Sequence, residues 1–309
     1  GKRLTNLDEQ IAAFPYVNGK LFAEALPPAS FDSAMRQALL DCCALDWSRI
    51  SPAIFGSLFQ SIMDKQARRN LGAHYTSETN ILKLIKPLFL DELWQEFESV
   101  KSNKQKLFAF HEKLRTLKFL DPACGCGNFL VIAYRELRLL ELEILRVRFK
   151  VNEKSGQTEN IQTMILLDVD QFYGIEIEEF PAQIAQVALW LMDHQINLKI
   201  SEEFGEYFAR IPLRSSGSIV CGNALRLDWN EVVLAKELNY IFGNPPFLGK
   251  NFQSDEQKAD MSFVFLGLKS SASLDFVTAW YRKSVDFMKS NDLIQTEFVS
   301  TNSITQGEQ

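Results

Sequence analysis

An α/β fold, a doubly wound sheet preceded by a helical extension, is what this sequence predicts, and three observations predict it. The apolar residues Leu117, Phe119 and Leu120 end at Asp121, and a Gly-rich turn from Asp121 to Asn128 then opens into an apolar-periodic stretch at 129–149. That order is a strand, a tight loop and a helix. Further short apolar runs at 168–177, 218–221, 240–243 and 295–300 follow, interspersed with helical stretches, as in a sheet with helices on both faces. Residues 1–70, by contrast, show only helical periodicity.

The first 70 residues read as a helical spacer. Apolar residues recur at three- and four-residue spacings over 31–47 and 52–67, and Ser51-Pro52 is an N-cap followed by proline at the first helical position. Pro15, Gly19 and Pro27-Pro28 punctuate its start. No chemistry is visible there, and the motifs fall within 71–309.

Gly72-Ala-His-Tyr-Thr-Ser77 is a turn leading into a helix at 78–97, with Ser77 or Thr76 as its cap. His74, beside an aromatic residue, reads as a packing residue and not as a base. In the central loop Gly125 and Gly127 lack a Cβ, so the backbone can bend sharply and a ligand can approach the N–H groups that open the next helix. Asp121 stands at a strand's carboxyl end, where open α/β sheets hold their ligands. The polar insert 150–160 is expected to be a mobile surface excursion.

The strand at 168–177 ends Gly174-Ile-Glu-Ile177. A carboxylate there is placed to accept hydrogen bonds from both hydroxyls of a ribose. Glu178 and Glu179 already begin the next helix as dipole-matching acids, which leaves Glu176 on the strand. The helix at 179–198 is strongly apolar, and His194 within it reads as a packed residue. Gly222-Asn223-Ala224 follows the third strand, and Asn244-Pro245-Pro246-Phe247 follows the fourth. Two consecutive prolines fix φ and remove two donors, so that loop is stiff and presents carbonyls without competing N–H groups. Glu256-Gln257-Lys258 is a fragment of a nuclease motif, but it falls in a polar stretch without a preceding strand or acidic partner, and it reads as a surface loop. An amphipathic helix is expected at 274–289.

Composition narrows the classes. With 309 residues, 46% hydrophobic and 23% charged, the chain can bury a large core and suggests one big domain with an appendage, or two. It shows no apolar run of spanning length and no signal-like apolar core at its start, which reads as a cytoplasmic protein with no membrane partner. The five cysteines lack paired metal-ligand spacing and read as small buried hydrophobes, with no metal expected. A net charge of −6 excludes gripping a polyanion by bulk charge but permits a local basic cleft. Lys65, Arg68 and Arg69, and a second group of Lys101, Lys104, Lys106, Lys113, Arg115 and Lys118, stay open between solvated helix faces and phosphate contacts.

Five blocks stand in one order: 72–77, 119–130, Tyr-Gly-Ile-Glu-Ile at 173–177, Gly-Asn-Ala at 222–224 and Gly-Asn-Pro-Pro-Phe at 243–247. In this order they resemble the gamma-class amino-methyltransferases that act on adenine N6 in DNA. The flanks Phe-Pro-Tyr-Val-Asn-Gly-Lys-Leu-Phe at 14–22 and Phe-Val-Ser-Thr-Asn-Ser-Ile-Thr-Gln-Gly at 298–307 are similar to MmeI-like restriction-modification enzymes, so the resemblance covers nearly the whole chain. It implies a Rossmann-like class I sheet, S-adenosyl-L-methionine as cofactor, and double-stranded DNA whose adenine is flipped out of the duplex. Tyr75 would pack beside the methionine end of the cofactor and Thr76 would hydrogen-bond near its carboxylate. Asp121, Ala123, Cys124, Gly125, Gly127 and Asn128 would line the cofactor, with Glu176 on the ribose and Ile177 against the adenine face. Asn223 would accept from the cofactor adenine's amino group while the Ala224 N–H donates to a ring nitrogen. Many relatives carry Asp at position 223, so Asn223 loses a charge and keeps an acceptor.

The resemblance also gives the fourth loop its chemistry. An exocyclic amine is a poor nucleophile because its lone pair is delocalised into the ring. Accepting both its hydrogens, through the Asn244 side-chain oxygen and the Pro245 carbonyl, localises the lone pair toward the methyl donor, while Pro246 stiffens the loop and Phe247 stacks on the flipped base. The expected reaction is direct in-line transfer with no covalent enzyme intermediate. A protein glutamine or RNA amino-methyltransferase would offer the same planar NH2, but the Tyr75-Thr76 block and the MmeI-like flanks favour DNA. A nicotinamide oxidoreductase would want Gly or Ala where Leu130 stands. A non-catalytic DNA-binding fragment is the other class. The expected organisation is a spacer at 1–70 linked to an upstream nuclease domain, a C-terminally truncated catalytic domain at 71–309, and a target-recognition domain outside the chain.

Overall fold

Five parallel strands form one sheet in the order β3-β2-β1-β4-β5, with β1 at Phe119–Asp121, β2 at Phe172–Glu176, β3 at Ser218–Cys221, β4 at Tyr240–Gly243 and β5 at Gln295–Phe298. The computed structural model describes residues 30–45, 50–62, 76–155, 160–205, 218–268 and 273–305. Helices α1 (Ser33–Cys43) and α2 (Ile54–Ile62) precede α3 (Glu78–Ile85), α4 (Asp91–Val100) and α5 (Lys104–Thr116). After β1 come α6 (Asn128–Ser155) and the short α7 (Ile161–Met164); α8 (Glu179–Phe204) follows β2, and α9 (Asp255–Val264) and α10 (Thr278–Met288) lie between β4 and β5. Among the described residues no helix is long and apolar enough to cross a membrane.

The period-two alternation of the strands assigns their side chains to two cores. Phe119, Phe172, Ile219 and Phe242 join the core shared with α3 to α6 and α8, whereas Leu120, Ile175 and Ile241 join the core under α10, with Trp229 and Trp280. Register puts Phe119 level with both Phe172 and Tyr240. Their rings stack across three strands, with centroids 4.7 and 5.4 Å from Phe119, and Phe89 covers the row at 5.2 Å from Phe119. Such ring pairs add about 0.5–1.5 kcal/mol each beyond their buried area.

One face also carries a buried charged network. The Arg138 guanidinium on α6 is fully buried and meets Asp193 of α8 at 2.6 Å, Asn197 at 2.7 Å and the Tyr134 hydroxyl at 2.8 Å. Glu141 lies 3.0 Å from the Arg138 Nε, and its Oε1 accepts from His111 and from the backbone N–H groups of Leu166 and Leu167. These bonds tie α5, α6, α8 and the chain entering β2 into one frame.

Several element boundaries differ from the sequence reading, each for a local reason. The helix start expected at Pro52 falls at Ile54, because the Ile54 and Phe55 N–H groups reach back only three residues, to Ser51 and Pro52. The helix expected at 78–97 continues to Val100 through a widened π turn at Lys86–Leu90, where Pro87 has no N–H to give. The insert at 150–160 is partly helical, since α6 continues to Ser155 and Asn160 caps α7, accepting from the Gln162 N–H. The 168–177 segment starts as a 3-10 turn, with Gln171 bonded to Leu114, Leu117 and Asp168, so β2 begins at Phe172. The Glu256-Gln257-Lys258 fragment lies on α9, capped by Ser254, and not in a loop. Cys42, Cys43 and Cys221 are exposed, and only Cys124 and Cys126 are the buried hydrophobes expected of all five. The second basic group is largely neutralised: Lys101, Lys113, Arg115 and Lys118 sit on Glu98, Glu96, Glu112 and Glu237. Lys65, Arg68, Arg69 and the 14–22 block lie outside the described residues.

Candidate cofactor and substrate site

The strand order reverses between β1 and β4, and in open parallel sheets the crevice at that switch point, beyond the carboxyl ends, is where ligands sit. Asp121 ends β1 there and is fully buried. Its Oδ1 accepts from the Ala123 N–H at 3.0 Å, and its Oδ2 has no hydrogen-bond partner among the described residues. Burial pushes its carboxyl up to about 8; the Ala123 N–H opposes that rise and the nearby Glu176 adds to it.

The loop after Asp121 is fixed from several sides. The Cys124 N–H donates to the Ile175 carbonyl at 3.1 Å, and the Trp280 indole donates to the Pro122 carbonyl at 3.1 Å. Gly127, at φ +81°, lies so close to α8 that a Cβ would come within 2.9 Å of the Ala185 Cβ. Gly125, at φ +55°, has nothing within 4 Å of where a Cβ would be, so this side of the loop is open. Burial, first of all, pushes the Cys126 thiol up to about 12 and raises Cys124 as well, so both stay neutral and pack. Asn128 turns another way: its side chain lies against Gly56 of α2, whose missing Cβ leaves the room it occupies. Helix α2 therefore docks on this loop, and just before it Gln195 of α8 donates to the Ile50 carbonyl at 2.8 Å.

Glu176 ends β2 beside this loop. Its Oε2 accepts from the Gly125 N–H at 2.9 Å and its Oε1 from the Glu178 N–H at 3.0 Å, which leaves a lone pair on each oxygen for a ligand. Burial raises its pKa, and those two N–H groups pull it back. Ile177 and Phe180 next to it are 56% and 58% exposed, an apolar pair held out at the strand end. Asn223 follows β3; its Oδ1 accepts from the Leu225 N–H at 2.9 Å and its Nδ2 donates to Asp260 at 2.8 Å. Asp260 is held in turn by Arg226 at 2.5 Å, and the Ala224 carbonyl by the Trp229 indole at 2.9 Å.

Asn244 follows β4. Its Nδ2 donates to the Thr76 Oγ1 at 2.9 Å, and Pro245 beside it is buried, with Pro246 and Phe247 half-buried. The far end of the loop is clamped: the Leu248 N–H donates to Asp275 at 3.0 Å, and the Leu248 carbonyl accepts from the Phe276 N–H and the Gln253 amide, both at 3.0 Å. Tyr75 lies outside the described residues. The remaining residues expected at the site stand at the carboxyl ends of β1 to β4, with Thr76 bonded to Asn244 there, except that the Asn128 side chain faces α2. Asp260, Asp275 and Gln253, which hold the loops in place, carry no local sequence signal, because each acts on a loop distant in the chain or by a bond that only the fold creates.

Residues 97–309 match the family model for the MmeI DNA-methyltransferase domain. The chain belongs to that family. It is a DNA-methyltransferase domain of the MmeI type, and a solved structure described as the type IIL restriction-modification enzyme MmeI in complex with DNA is 68% identical, with a TM-score of 0.91, over 99% of this chain and 41% of that one. DNA methyltransferase A of Bacillus subtilis is 41% identical over 96% of this chain and 33% of its own length. A putative type II restriction enzyme and methyltransferase of Methanocaldococcus jannaschii is 26% identical over 46% of this chain and 14% of its own. The chain thus spans a third or less of the curated relatives it matches. An MmeI-type methyltransferase domain requires a methyl donor, and the loop at Asp121 and Gly125 lies one strand from the Asn244 loop.

Proposed function

We propose that this domain binds S-adenosyl-L-methionine at the ends of β1, β2 and β3 and methylates adenine N6 in double-stranded DNA, as the methylating part of a restriction-modification protein. The observation that carries the reading is the shared wall of the two loops: Gly243, which leads into Asn244, packs on the Asp121 carboxyl group, so the cofactor loop and the amine clamp are neighbours. The residues fit a cationic, ribose-bearing donor. Asp121 supplies a buried oxygen without a partner among the described residues, Glu176 supplies two acceptors, Ile177 supplies an apolar face, and the open side of Gly125 supplies approach room.

When bound, the cofactor supplies a methyl group on a sulfonium. The Asn244 Oδ1 and the Pro245 carbonyl then accept the two amine hydrogens of an adenine swung out of the duplex, and Phe247 stacks on its face. Asn223, pinned by Asp260, presents its amide oxygen to the cofactor adenine, and the backbone at Ala224 completes that edge. Thr76 holds the methionine end together with Tyr75. Asn128 contributes through the backbone at the start of α6, since its side chain is engaged by α2.

In this reading 71–309 is the catalytic domain and 1–70 a spacer, with nuclease and target-recognition domains elsewhere in a cytoplasmic parent protein. The test is incubation of the full-length protein with tritiated S-adenosylmethionine and DNA, followed by digestion to nucleosides. Label in N6-methyladenosine is the expected result. Label in N4-methylcytosine, in RNA or in protein alone would redirect the reading, and thermal stabilisation by NADH but not by S-adenosylmethionine would end it.

A further inference from the structure

We propose that Thr76 is a positioning residue for Asn244, fixing which end of its amide faces the substrate amine. The inference rests on the amino-methyltransferase reading of the site. The Thr76 hydroxyl is only 8% exposed as part of its residue and lies 2.9 Å from the Asn244 Nδ2, across 168 positions of sequence. An asparagine amide turns about a broad, roughly two-fold torsion, so nothing within Asn244 itself selects oxygen over nitrogen. Turned the wrong way, it would present N–H groups to the hydrogens of an amine. By accepting from Nδ2, the Thr76 oxygen turns Oδ1 away from itself, and once its own proton is given to the cofactor carboxylate it cannot donate to Oδ1 in the flipped arrangement, so the amide oxygen faces the substrate amine.

Thr76 is itself held firmly enough to act as a reference point. It precedes Ser77 at the head of α3, where the Ser77 carbonyl accepts from the Asn80 and Ile81 N–H groups at 2.9 and 3.0 Å. Two residues on, Glu78 meets Arg135 of α6 at 2.7 Å, and α6 is the helix that the Gly loop opens. Thr76, the cofactor loop and Asn244 therefore share one frame. A hydroxyl also carries one O–H and a second lone pair, so accepting from Asn244 leaves its proton free to donate toward a cofactor carboxylate. One side chain thus joins the cofactor end of the site to the amine clamp.

The test uses the full-length protein, with Thr76→Val, which keeps the shape and removes the hydroxyl, and Thr76→Ser, which keeps the hydroxyl. Two readouts are taken on a duplex bearing the mapped target site: single-turnover methylation at saturating cofactor, and the ratio of dissociation constants for adenine against purine, which lacks the amine, at the target position. Thr76→Val should lower the single-turnover rate and the adenine preference, each by about threefold to tenfold, the scale of one hydrogen bond. Thr76→Ser should restore both. A Thr76→Val protein with the wild-type rate at saturating cofactor and wild-type adenine preference would overturn the inference, whatever its cofactor affinity. So would a folded Thr76→Ser protein as impaired as the Val variant, since the methyl group would then be what matters. Absence of transfer by the wild type would overturn the underlying reading, and the inference with it.

Discussion

Gly243 lies directly on the carboxyl group of Asp121: a Cβ at Gly243 would fall 2.4 Å from Oδ1 and 2.9 Å from Cγ. The contact joins the ends of β1 and β4 at the point where the strand order reverses. A methyl group cannot be placed there without moving either Asp121 or the loop that carries Asn244. Gly243→Ala is expected to destabilise the protein by about 1–3 kcal/mol, in the range of overpacked sites, and to reduce methyl transfer further than stability alone explains. Denaturant unfolding beside an activity assay decides it, and an alanine variant normal in both would show that the contact yields freely.

In the proposed site, Asp121 is expected to make cofactor binding depend on pH. Its carboxyl pKa in the folded protein, about 8, lies above the ordinary value of 3.8, so the native state keeps a proton that the unfolded chain releases. Its contribution to stability is therefore complete below the ordinary value and is lost as pH rises toward about 8. Asp121→Asn, with no proton to lose, should flatten that decline in the cofactor-free protein. A cation beside Oδ2 favours the carboxylate, so S-adenosylmethionine binding should release a proton below pH about 8 and should tighten as pH rises toward that value, by up to about tenfold per pH unit. Glu176, Cys124 and Cys126 face the same end of the sheet, and their burial-raised pKa values keep the thiols neutral through this range. Calorimetry in buffers of different ionisation enthalpy measures the released proton; a pH-independent affinity would remove Asp121 from the charge balance.

Asn244→Ala should abolish methyl transfer while leaving cofactor affinity within a few-fold. In the proposed geometry its amide meets the substrate amine and Thr76, not the cofactor. Tritium incorporation into DNA is the measurement, and near-normal incorporation would take Asn244 out of the clamp.

Glu176→Ala should shrink the stabilisation given by S-adenosylmethionine. At 100 times its dissociation constant a ligand stabilises a fold by about 2.7 kcal/mol through mass action, and the variant should show less at the same concentration. The same change also deprives the Gly125 and Glu178 N–H groups of their acceptor. Glu176→Gln retains an acceptor oxygen and should fall between the two proteins; equal thermal shifts in all three would exclude Glu176 from the ribose.

Arg138→Leu should destabilise the fold by about 3–5 kcal/mol, because it leaves the buried carboxylates of Asp193 and Glu141 without their cation. Chemical denaturation measures the loss. A smaller effect would mean that water or a shifted side chain reaches Asp193.

What the sequence determined by itself was everything local. The Gly125 and Gly127 turn, the acids at Asp121 and Glu176 that end two of the strands, and the paired prolines after Asn244 are short-range patterns, and backbone sterics and side-chain geometry read them directly. From them follow the sheet, its two faces and the strand ends that gather the candidate residues. Only the tertiary structure decided which groups those residues touch. Asn128 turned to Gly56, Asn223 to Asp260, Asn244 to Thr76, and the basic cluster around α5 to its own acids. The reason is physical: a polar side chain buried by folding takes the partner that the fold brings within about 3 Å, and that partner can lie 168 residues away, where no sequence period reaches.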